Sequence, residues 1–359
     1  MYRVLLSSLF FLVLTACRTS SSGDLKQLSD GQQPMELANL NIFDKTHVYF
    51  ASNENNRIVQ RQLSIPDSIK NYDSARLLMR LSCPNDRCDY WDRKGQIFLY
   101  KNVNGEDVKF ELMRFITPYG VGVGGGDDQG DNRLIIDASD LLPILNGDAT
   151  FEVFIDTWVG PGHDQGEGWL VDLTLELRNE GREKVAVEVR NILTPTPVPY
   201  GKVGVDSKQT KNLENLPEHS SSRIISYVTG HGQNYKTRQE AARFPDYSTN
   251  KYNCAEFCER LHTFTVGGVS QSTSIWRGDC AKTRTDKRQR GNYTVGRAGW
   301  CPGDKVNPII MDFDKPLLPG QADVSWEPEA WVNPEDENYN GGSHTEPYYS
   351  VSALLVLYK

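Results

Sequence analysis

The segment that decides the fold is WLVDLTLEL at residues 169–177, where apolar residues recur at every second position. Side chains of a β-strand point alternately to two faces, so this pattern gives a strand with one buried face. Similar alternation occurs at residues 57–65, 96–100, 108–113, 150–156, 184–190, 223–228 and 349–358. Short strands separated by Gly, Pro, Asn and Asp predict an all-β protein made of sandwiches or jelly rolls.

Local signals between the strands predict turns. The pairs Asn104-Gly105 and Asn146-Gly147 are typical of tight β-hairpin turns. Residues 139–145 could form a helical turn, and we expect Ser139 to cap it.

Longer polar segments predict loops and a domain boundary. Residues 120–132 are rich in Gly and Asp, which indicates a flexible loop or, alternatively, a Ca²⁺ loop; residues 235–253 form a polar connection. The strand pattern pauses at Asn-Glu-Gly-Arg within residues 178–183 and then restarts. We therefore expect an N-terminal β-domain at residues 39–180 and a C-terminal β-domain at residues 181–359.

The N-terminus predicts export and a lipid anchor. Arg3 precedes an apolar run at residues 4–13, and Leu-Thr-Ala at residues 14–16 leads directly into Cys17. The run is too short to stay in a bilayer as a spanning helix, so residues 1–16 are interpreted as a cleaved signal and Cys17 as the lipidated residue of a bacterial envelope protein. The alternative is ordinary signal peptidase cleavage with Cys17 incidental. Residues 17–38, largely Ser-, Gly- and Gln-rich, then form a flexible tether.

Charge and hydropathy limit the partners. The formal net charge is −8, with 47 acidic and 39 Lys or Arg residues dispersed along the chain. No basic stripe is present, which argues against nucleic acid as a partner. No second hydrophobic span follows the signal, so we expect membrane attachment through the lipid alone.

The cysteine count indicates disulfides. Seven cysteines minus Cys17 leave six: Cys83, Cys88, Cys254, Cys258, Cys280 and Cys301. An even number in an exported protein favours disulfide bonds, for which fifteen pairings are possible. A zinc site is the alternative, although the spacings fit no common zinc motif.

Four segments carry residues suited to carbohydrate chemistry. The first, CPNDRCDYWDR (83–93), places Trp91, Asp92 and Arg93 after a cysteine pair, and the second, CAEFC (254–258), encloses Glu256 between two cysteines. The third, FEVFIDTWVG (151–160), has Asp156 and Trp158 at the end of a predicted strand. The fourth, RAGWCPG (297–303), contains Arg297 and Trp300. An indole stacks on a pyranose ring, and carboxyl groups transfer protons. Each segment also has a structural interpretation, as a surface ion pair, a solvated acid or a turn-capping Asp.

Taken together and in this order, the segments resemble the peptide-N-glycosidase F family. RFITPYGVG (114–122), VPYGK (198–202) and the closing YYSVS (348–352) extend the resemblance over residues 39–359. It implies two eight-stranded antiparallel jelly rolls packed side by side with the site in the cleft between them. It also implies the bridges Cys83–Cys88, Cys254–Cys258 and Cys280–Cys301.

The family hydrolyses the amide that joins an N-glycan to asparagine, leaving aspartate, without a cofactor or metal. The resemblance implies that Asp92, Glu256 and Asp156 are the catalytic acids and that Trp91, Arg93, Trp158, Arg297 and Trp300 contact the substrate. N-glycosylated proteins or glycopeptides are the expected substrates of a monomer.

Several positions depart from the family pattern. Asp156 replaces a glutamate, while Gly120, His231 and Phe257 stand where the family has tryptophan. A misplacement of about 1 Å can cost ~100-fold in rate, so Asp156 bears directly on activity. The platform for sugar stacking is also reduced.

Two other functions fit parts of the sequence. A catalytically weak or inactive glycan-binding surface lipoprotein is favoured by Asp156 and the lost tryptophans. A copper monooxygenase also uses paired jelly rolls but needs clustered His and Met ligands. The six histidines are dispersed: His47, His163, His219, His231, His262 and His344.

Overall fold

The computed structural model describes residues 38–103, 105–121, 133–233, 254–283, 289–290, 292–318, 323–332 and 345–359. Glu36–Lys359 is one compact unit. The predictions for the signal, Cys17, the tether up to residue 37, the glycine-rich loop beyond residue 121 and the polar connection 235–253 lie outside the described residues. Within the described ranges, no helix has both the length and the apolar character that a membrane crossing requires.

Two antiparallel sheets come from the first half of the chain. Their strands are β1 (Ala38–Ala51), β2 (Glu54–Asn56), β3 (Ile58–Ile65), β4 (Ser74–Ser82), β5 (Lys94–Val103), β6 (Glu106–Ile116), β7 (Arg133–Asp137), β8 (Gly147–Ile155) and β9 (Trp169–Arg178). One sheet has the order β2-β1-β9-β4-β7 and the other β3-β8-β5-β6. The non-sequential order means that the chain repeatedly crosses between the sheets of this sandwich.

The second half repeats this architecture. Its strands are β10 (Ala186–Pro199), β11 (Gln209–Asn212), β12 (Ser221–Gln233), β13 (Leu261–Val266), β14 (Val269–Ser274), β15 (Trp276–Arg277), β16 (Arg297–Ala298), β17 (Ile309–Phe313), β18 (Asp323–Pro328) and β19 (Thr345–Tyr358). The four-stranded sheets are β10-β19-β12-β17 and β11-β18-β13-β14, and β15 and β16 form a two-stranded ribbon. We call the two halves the N-terminal and C-terminal sandwiches.

The alternation of residues 169–177 sets the N-terminal core. Trp169, Val171, Leu173 and Leu175 are buried, while the intervening residues of β9 are partly exposed. Since β9 lies in the centre of its sheet, its apolar face packs under both neighbouring strands. A separate core under β12, β13, β18 and β19 includes Phe264, Trp326 and Leu355.

All eight segments predicted from alternation are strands. The antiparallel β-sandwich prediction and its disulfides are therefore confirmed. The first hairpin prediction agrees with the pairing of Val103 with Glu106, which closes β5 onto β6 around Gly105, where φ is +92°. Asn104 itself lies outside the described residues.

Two local predictions are wrong. Asn146-Gly147 does not close a hairpin, because a 3-10 turn at Ser139–Ile144 separates β7 from β8, and β8 pairs with β3 and β5. That turn confirms the predicted helical segment, but Ser139 is its first residue and does not cap it. Instead, the Ser139 backbone N–H and hydroxyl donate to Asp137 Oδ1 at 2.9 and 2.5 Å.

A buried ion pair joins the two sandwiches. Arg114 on β6 is fully buried and donates from Nε and Nη2 to both carboxylate oxygens of Glu111, at 2.7 and 2.8 Å. Its Nη1 reaches across to Thr229 Oγ1 at 3.0 Å and the Ser350 carbonyl at 2.6 Å. The Tyr227 hydroxyl donates in the opposite direction, to the Leu112 carbonyl at 2.9 Å. These bonds fix β6 against β12 and β19, beside the cleft residues described next.

Candidate active site

Three disulfides lie next to the candidate site residues in the sequence: Cys83–Cys88, Cys254–Cys258 and Cys280–Cys301. These are the pairings that the family resemblance implied. The first precedes the Trp91-Asp92-Arg93 segment, the second encloses Glu256, and the third is joined to Trp300 through Cys301. The bridges hold short segments that carry little regular secondary structure of their own.

Asp89 organises the Trp91-Asp92-Arg93 segment. It is fully buried, and its carboxylate accepts hydrogen bonds from the Trp91 backbone N–H at 3.0 Å, Arg93 Nε at 2.9 Å and Thr157 Oγ1 at 2.7 Å. A buried carboxylate is stable only when its oxygens are satisfied in this way. Thr157 is the residue after Asp156, so Asp89 joins two of the sequence segments that were singled out.

Thr117 holds the same segment from the other side. Its hydroxyl accepts from the Arg93 backbone N–H at 2.7 Å and donates to the Trp91 carbonyl at 3.1 Å. The backbone of Asp92 is therefore held between two anchored neighbours. Trp91 keeps an exposed ring that contacts Tyr90 and Tyr119 at centroid distances of 5.5 and 5.7 Å.

Glu256 lies in the one-turn helix Cys254–Phe257 and is buried. The helix backbone packs directly on Gly230 of β12, where a Cβ would overlap the Ala255 carbonyl oxygen. The Tyr349 hydroxyl donates to the Cys254 carbonyl at 3.3 Å. Gly230 and Tyr349 thus determine how closely Glu256 approaches the cleft.

Arg297 is the cation that acts on both acids. Its Nε lies 3.5 Å from Glu256 Oε1, and its guanidinium stacks on Trp300 at 4.6 Å from the ring centroid. Trp300 is itself mostly buried and donates from Nε1 to the Gly230 carbonyl at 2.8 Å. The structure therefore places Trp300 behind Arg297, as its support.

The two acids differ in pKa. Burial raises the pKa of Asp92 to about 6, with the positive charge of Arg297 as the main opposing influence. Burial raises the pKa of Glu256 to about 8; Arg297 opposes this shift and the Asp92 charge adds to it. Burial thus favours the protonated form of both acids, and it does so more strongly for Glu256.

Asp156 lies in a more open setting than Glu256. It follows β8 directly, and its side chain is 44% exposed. Its Oδ1 pairs with Arg57 Nη1 at 3.3 Å. Trp158 is 50% exposed, and the Arg57 guanidinium lies 4.2 Å from the centroid of its indole.

The structure also brings in residues that the sequence did not single out. Lys94 starts β5, and burial, then the Arg114 charge, lowers its pKa to about 8. Burial, then the charges of Lys94 and Arg114, holds the pKa of His231 well below its usual value. Burial, then the charges of Asp156 and Glu256, raises the pKa of Tyr348 to about 12, so Tyr348 is close enough to sense both acids.

Trp300, His231 and Tyr348 form a row of rings. The centroid distances are 5.8 Å from Trp300 to His231 and 5.3 Å from His231 to Tyr348, with both pairs stacked. The His231 Nε2 shares a hydrogen bond with Thr229 Oγ1 at 2.7 Å. No three His, Cys, Asp or Glu side chains in the described ranges are grouped to hold a metal ion.

Comparison with known proteins identifies the family. The profile of the peptide-N-glycosidase F N-terminal domain matches residues 39–177, and that of its C-terminal domain matches residues 248–356. The peptide-N(4)-(N-acetyl-β-D-glucosaminyl)asparagine amidase F of Elizabethkingia miricola is 22% identical over 320 residues, which are 89% of this chain and 83% of that protein.

Solved structures agree on the fold. PNGase F, a glycosylasparaginase from Flavobacterium meningosepticum, superposes with a TM-score of 0.66 at 22% identity, covering 90% of this chain and 96% of that one. PNGF-II gives a TM-score of 0.62 at 16% identity, with coverage of 89% and 65%. The two profiles together span most of the chain, and they match the N-terminal and the C-terminal sandwich in that order. The chain therefore belongs to the peptide-N-glycosidase F family.

Proposed function

We propose that this protein is an amidase that hydrolyses the bond between an N-glycan and the asparagine side chain of a glycoprotein or glycopeptide. The observation that carries the proposal is that half-buried Asp92 and buried Glu256 lie within the influence of one cation, Arg297, while burial raises their pKa values to about 6 and about 8. Two carboxyl groups in different protonation states provide a base and an acid in one site. Family membership supplies the substrate class.

The proposed reaction needs one proton acceptor and one donor. Ionised Asp92 takes a proton from the attacking water, whose oxygen forms a bond to the amide carbon. Protonated Glu256 holds that water and donates a proton as the carbon–nitrogen bond breaks. The products are aspartate on the peptide and the glycosylamine, and the proton on Asp92 then returns to Glu256. Arg297 stabilises the negative charge shared by this pair.

Substrate contacts are assigned from exposure. Trp91 and Trp158 present open indole surface on which pyranose rings can stack. Arg297 and Asp156 would position the first two sugars, and Arg93, partly exposed while bound to Asp89, borders Asp92. Trp300 contributes through Arg297. The proposed chemistry uses no metal, so we expect a chelator to leave the rate unchanged.

The direct test uses a denatured N-glycoprotein and mass spectrometry. The expected result is conversion of the glycosylated asparagine to aspartate together with loss of the glycan. Glycan that stays attached after prolonged incubation with folded protein would reject the amidase.

One observation favours a second function, an inactive glycan-binding protein. Asp156 is held against Arg57, and position 120 is a glycine with φ of +69° over which Arg290 packs, so no side chain extends from it into the cleft. A cleft with fewer aromatic contacts could bind sugar without orienting the amide. Retained glycan binding without release would establish this function in place of the first.

We further propose that the protein is exported and anchored by lipid on Cys17 as a monomer, with domains at residues 39–180 and 181–359. Support for the anchor comes from the apolar run and the Leu-Thr-Ala-Cys segment. The test is expression of the full chain and of Cys17→Ser. Wild type should sediment with membranes and the variant should not; equal fractionation would reject the anchor.

A further inference from the structure

Arg57 is a charged residue that the proposed reaction does not use. Its guanidinium contacts two of the candidate site residues, Asp156 and Trp158. Arg57 lies between β2 and β3, and its carbonyl accepts a hydrogen bond from the Ile155 N–H at 3.1 Å. This bond ties the Arg57 backbone to the end of β8, directly before Asp156.

The Arg57 side chain is fixed on three sides. Its Nε donates to Asn55 Oδ1 at 3.0 Å, and its Nη1 donates to Asp156 Oδ1 at 3.3 Å. Its guanidinium plane lies 4.2 Å from the centroid of Trp158, with Phe50 at 5.2 Å. A guanidinium that stacks on an indole and pairs with a carboxylate has one preferred orientation.

That orientation leaves a donor of Arg57 and part of the Asp156 carboxylate available to a ligand. Within the part of the chain that the structure describes, Arg57 Nη2 donates no hydrogen bond, and the side chain is 20% exposed. The adjacent Asp156 carboxylate is 44% exposed and Trp158 50%. A donor and an acceptor side by side, next to an open aromatic surface, match two adjacent hydroxyl or acetamido groups on a pyranose ring.

We infer that Arg57 is a sugar-binding residue that forms, with Asp156 and Trp158, a pyranose subsite of the cleft. Arg57 stacks on Trp158, fixes the Asp156 carboxylate through their ion pair, and donates from Nη2 to a substituent of the pyranose ring. The subsite contributes to binding and leaves the bond-breaking step to Asp92 and Glu256. This inference rests on the proposed function for the identity of the sugar, an N-acetylated one.

The position of Arg57 also explains how aspartate can replace the family's glutamate at position 156. The Asp156 carboxylate is paired with the neighbouring Arg57 guanidinium, so the shorter side chain still places it beside a hydrogen-bond donor. Asp156 and Arg57 thus act as one unit in this protein. Lengthening Asp156 to glutamate would move the carboxylate away from Arg57 Nη1.

The test measures binding and turnover separately in the full-length protein. N,N′-diacetylchitobiose is titrated by calorimetry into wild type, Arg57→Ala and Arg57→Lys, and glycopeptide hydrolysis gives kcat and KM. We expect Arg57→Ala to weaken Kd and raise KM about tenfold while kcat changes by less than about threefold. Arg57→Lys should show about threefold weaker binding, because it keeps the charge but lacks the planar fork.

The matched control is Arg76→Ala, which breaks a 3.0 Å surface ion pair with Glu180 on the same sandwich. It should bind and hydrolyse like wild type. Unchanged Kd in Arg57→Ala, or no chitobiose binding by wild type, would overturn the inference. If wild type binds chitobiose but releases no glycan, the proposed function fails, and weaker binding by Arg57→Ala and Arg57→Lys still supports the subsite.

Discussion

The two ends of the cleft use carboxylates in opposite ways. At one end, Asp92 and Glu256 share Arg297 in a buried setting, and burial raises the pKa of each acid. At the other end, Asp156 is half exposed and paired with Arg57 beside the open indole of Trp158. Burial makes a carboxyl group a proton donor or acceptor near neutral pH, whereas exposure with a fixed cation makes it a recognition group. The residue types are alike at both ends, and under the proposed function their surroundings separate chemistry from binding.

The largest expected effect is at Asp92. Asp92→Asn removes the proposed base, so we expect kcat to fall by about 10³-fold or more while chitobiose affinity stays within about twofold. Asp67→Asn, on a fully exposed acid of the same sandwich, is the matched control and should keep full activity. Steady-state kinetics with a labelled glycopeptide measures both. Normal turnover in Asp92→Asn would place the base elsewhere.

The next effect is at Glu256, where pH provides a second measurement. The proposed reaction requires ionised Asp92 and protonated Glu256, so kcat/KM should rise near pH 6 and fall near pH 8. Glu256→Gln should lower kcat by about 10²-fold and abolish the fall near pH 8, because glutamine does not titrate. The exposed neighbour Glu259 accepts a bond from Ser274, and Glu259→Gln is the control. A fall near pH 8 that persists in Glu256→Gln contradicts the assignment.

The same shift predicts a change in stability. The folded pKa of Glu256 lies above the unfolded value, so unfolding releases a proton between about pH 4.3 and 8. Its contribution to stability is fully present below about pH 4 and is lost as the pH rises to about 8. Wild type should therefore lose more stability from pH 5 to pH 8 than Glu256→Gln, by about 3.5 kcal/mol. Urea unfolding at the two pH values measures this, and equal losses would argue against a buried neutral Glu256.

A smaller effect is expected where the two ends meet. Thr157 follows Asp156 yet donates to Asp89, which holds the Asp92 segment. Thr157→Val removes that bond at nearly constant shape and should lower kcat about tenfold, since one hydrogen bond to a charged group contributes ~1.5–3 kcal/mol. Thr157→Ser keeps the hydroxyl and should restore most of the rate. If Val and Ser variants behave alike, Thr157 acts only by packing.

The smallest effect is expected at Asp156. Asp156→Asn keeps an acceptor but loses the charge that faces Arg57, so KM should rise about threefold with kcat nearly unchanged. Glycopeptide kinetics decides between binding and chemistry at this position. A fall in kcat as large as that of Glu256→Gln would show that the two ends are not divided as described.

Alternation in the sequence was enough to predict strands whose faces differ clearly. In β9, Asp172, Thr174 and Glu176 separate buried apolar residues, so the period of two is visible. β4 has the same buried positions at Ala75, Leu77, Met79 and Leu81, but Leu78 stands on its other face and hides the pattern. Tertiary packing tolerates a leucine on the outer face of β4, so the local sequence alone does not show which face of this strand is buried.

The site residues were predictable where a short sequence motif itself places an acid between two cysteines or next to a tryptophan. A cysteine ring around Glu256 and an acid next to Trp91 could be read as candidates from the sequence alone. Arg57 could not, because it meets Asp156 across 99 residues of chain through the pairing of β3 with β8. The role of Asp89 could not be predicted for the same reason, because its partner Thr157 is 68 residues away. Contacts of this kind depend on strand order, which the sequence pattern leaves open.

The buried Arg114 has a consequence for folding. Its charge is neutralised by Glu111 within the N-terminal sandwich, while Nη1 donates, among the described residues, to Thr229 and Ser350 of the C-terminal sandwich. Separating the sandwiches would leave that donor and the Tyr227 hydroxyl without their hydrogen-bond partners, on surfaces that are buried in the folded protein. The two β-sandwiches should therefore melt in a single cooperative transition, and neither half is expected to be stable when expressed without the other.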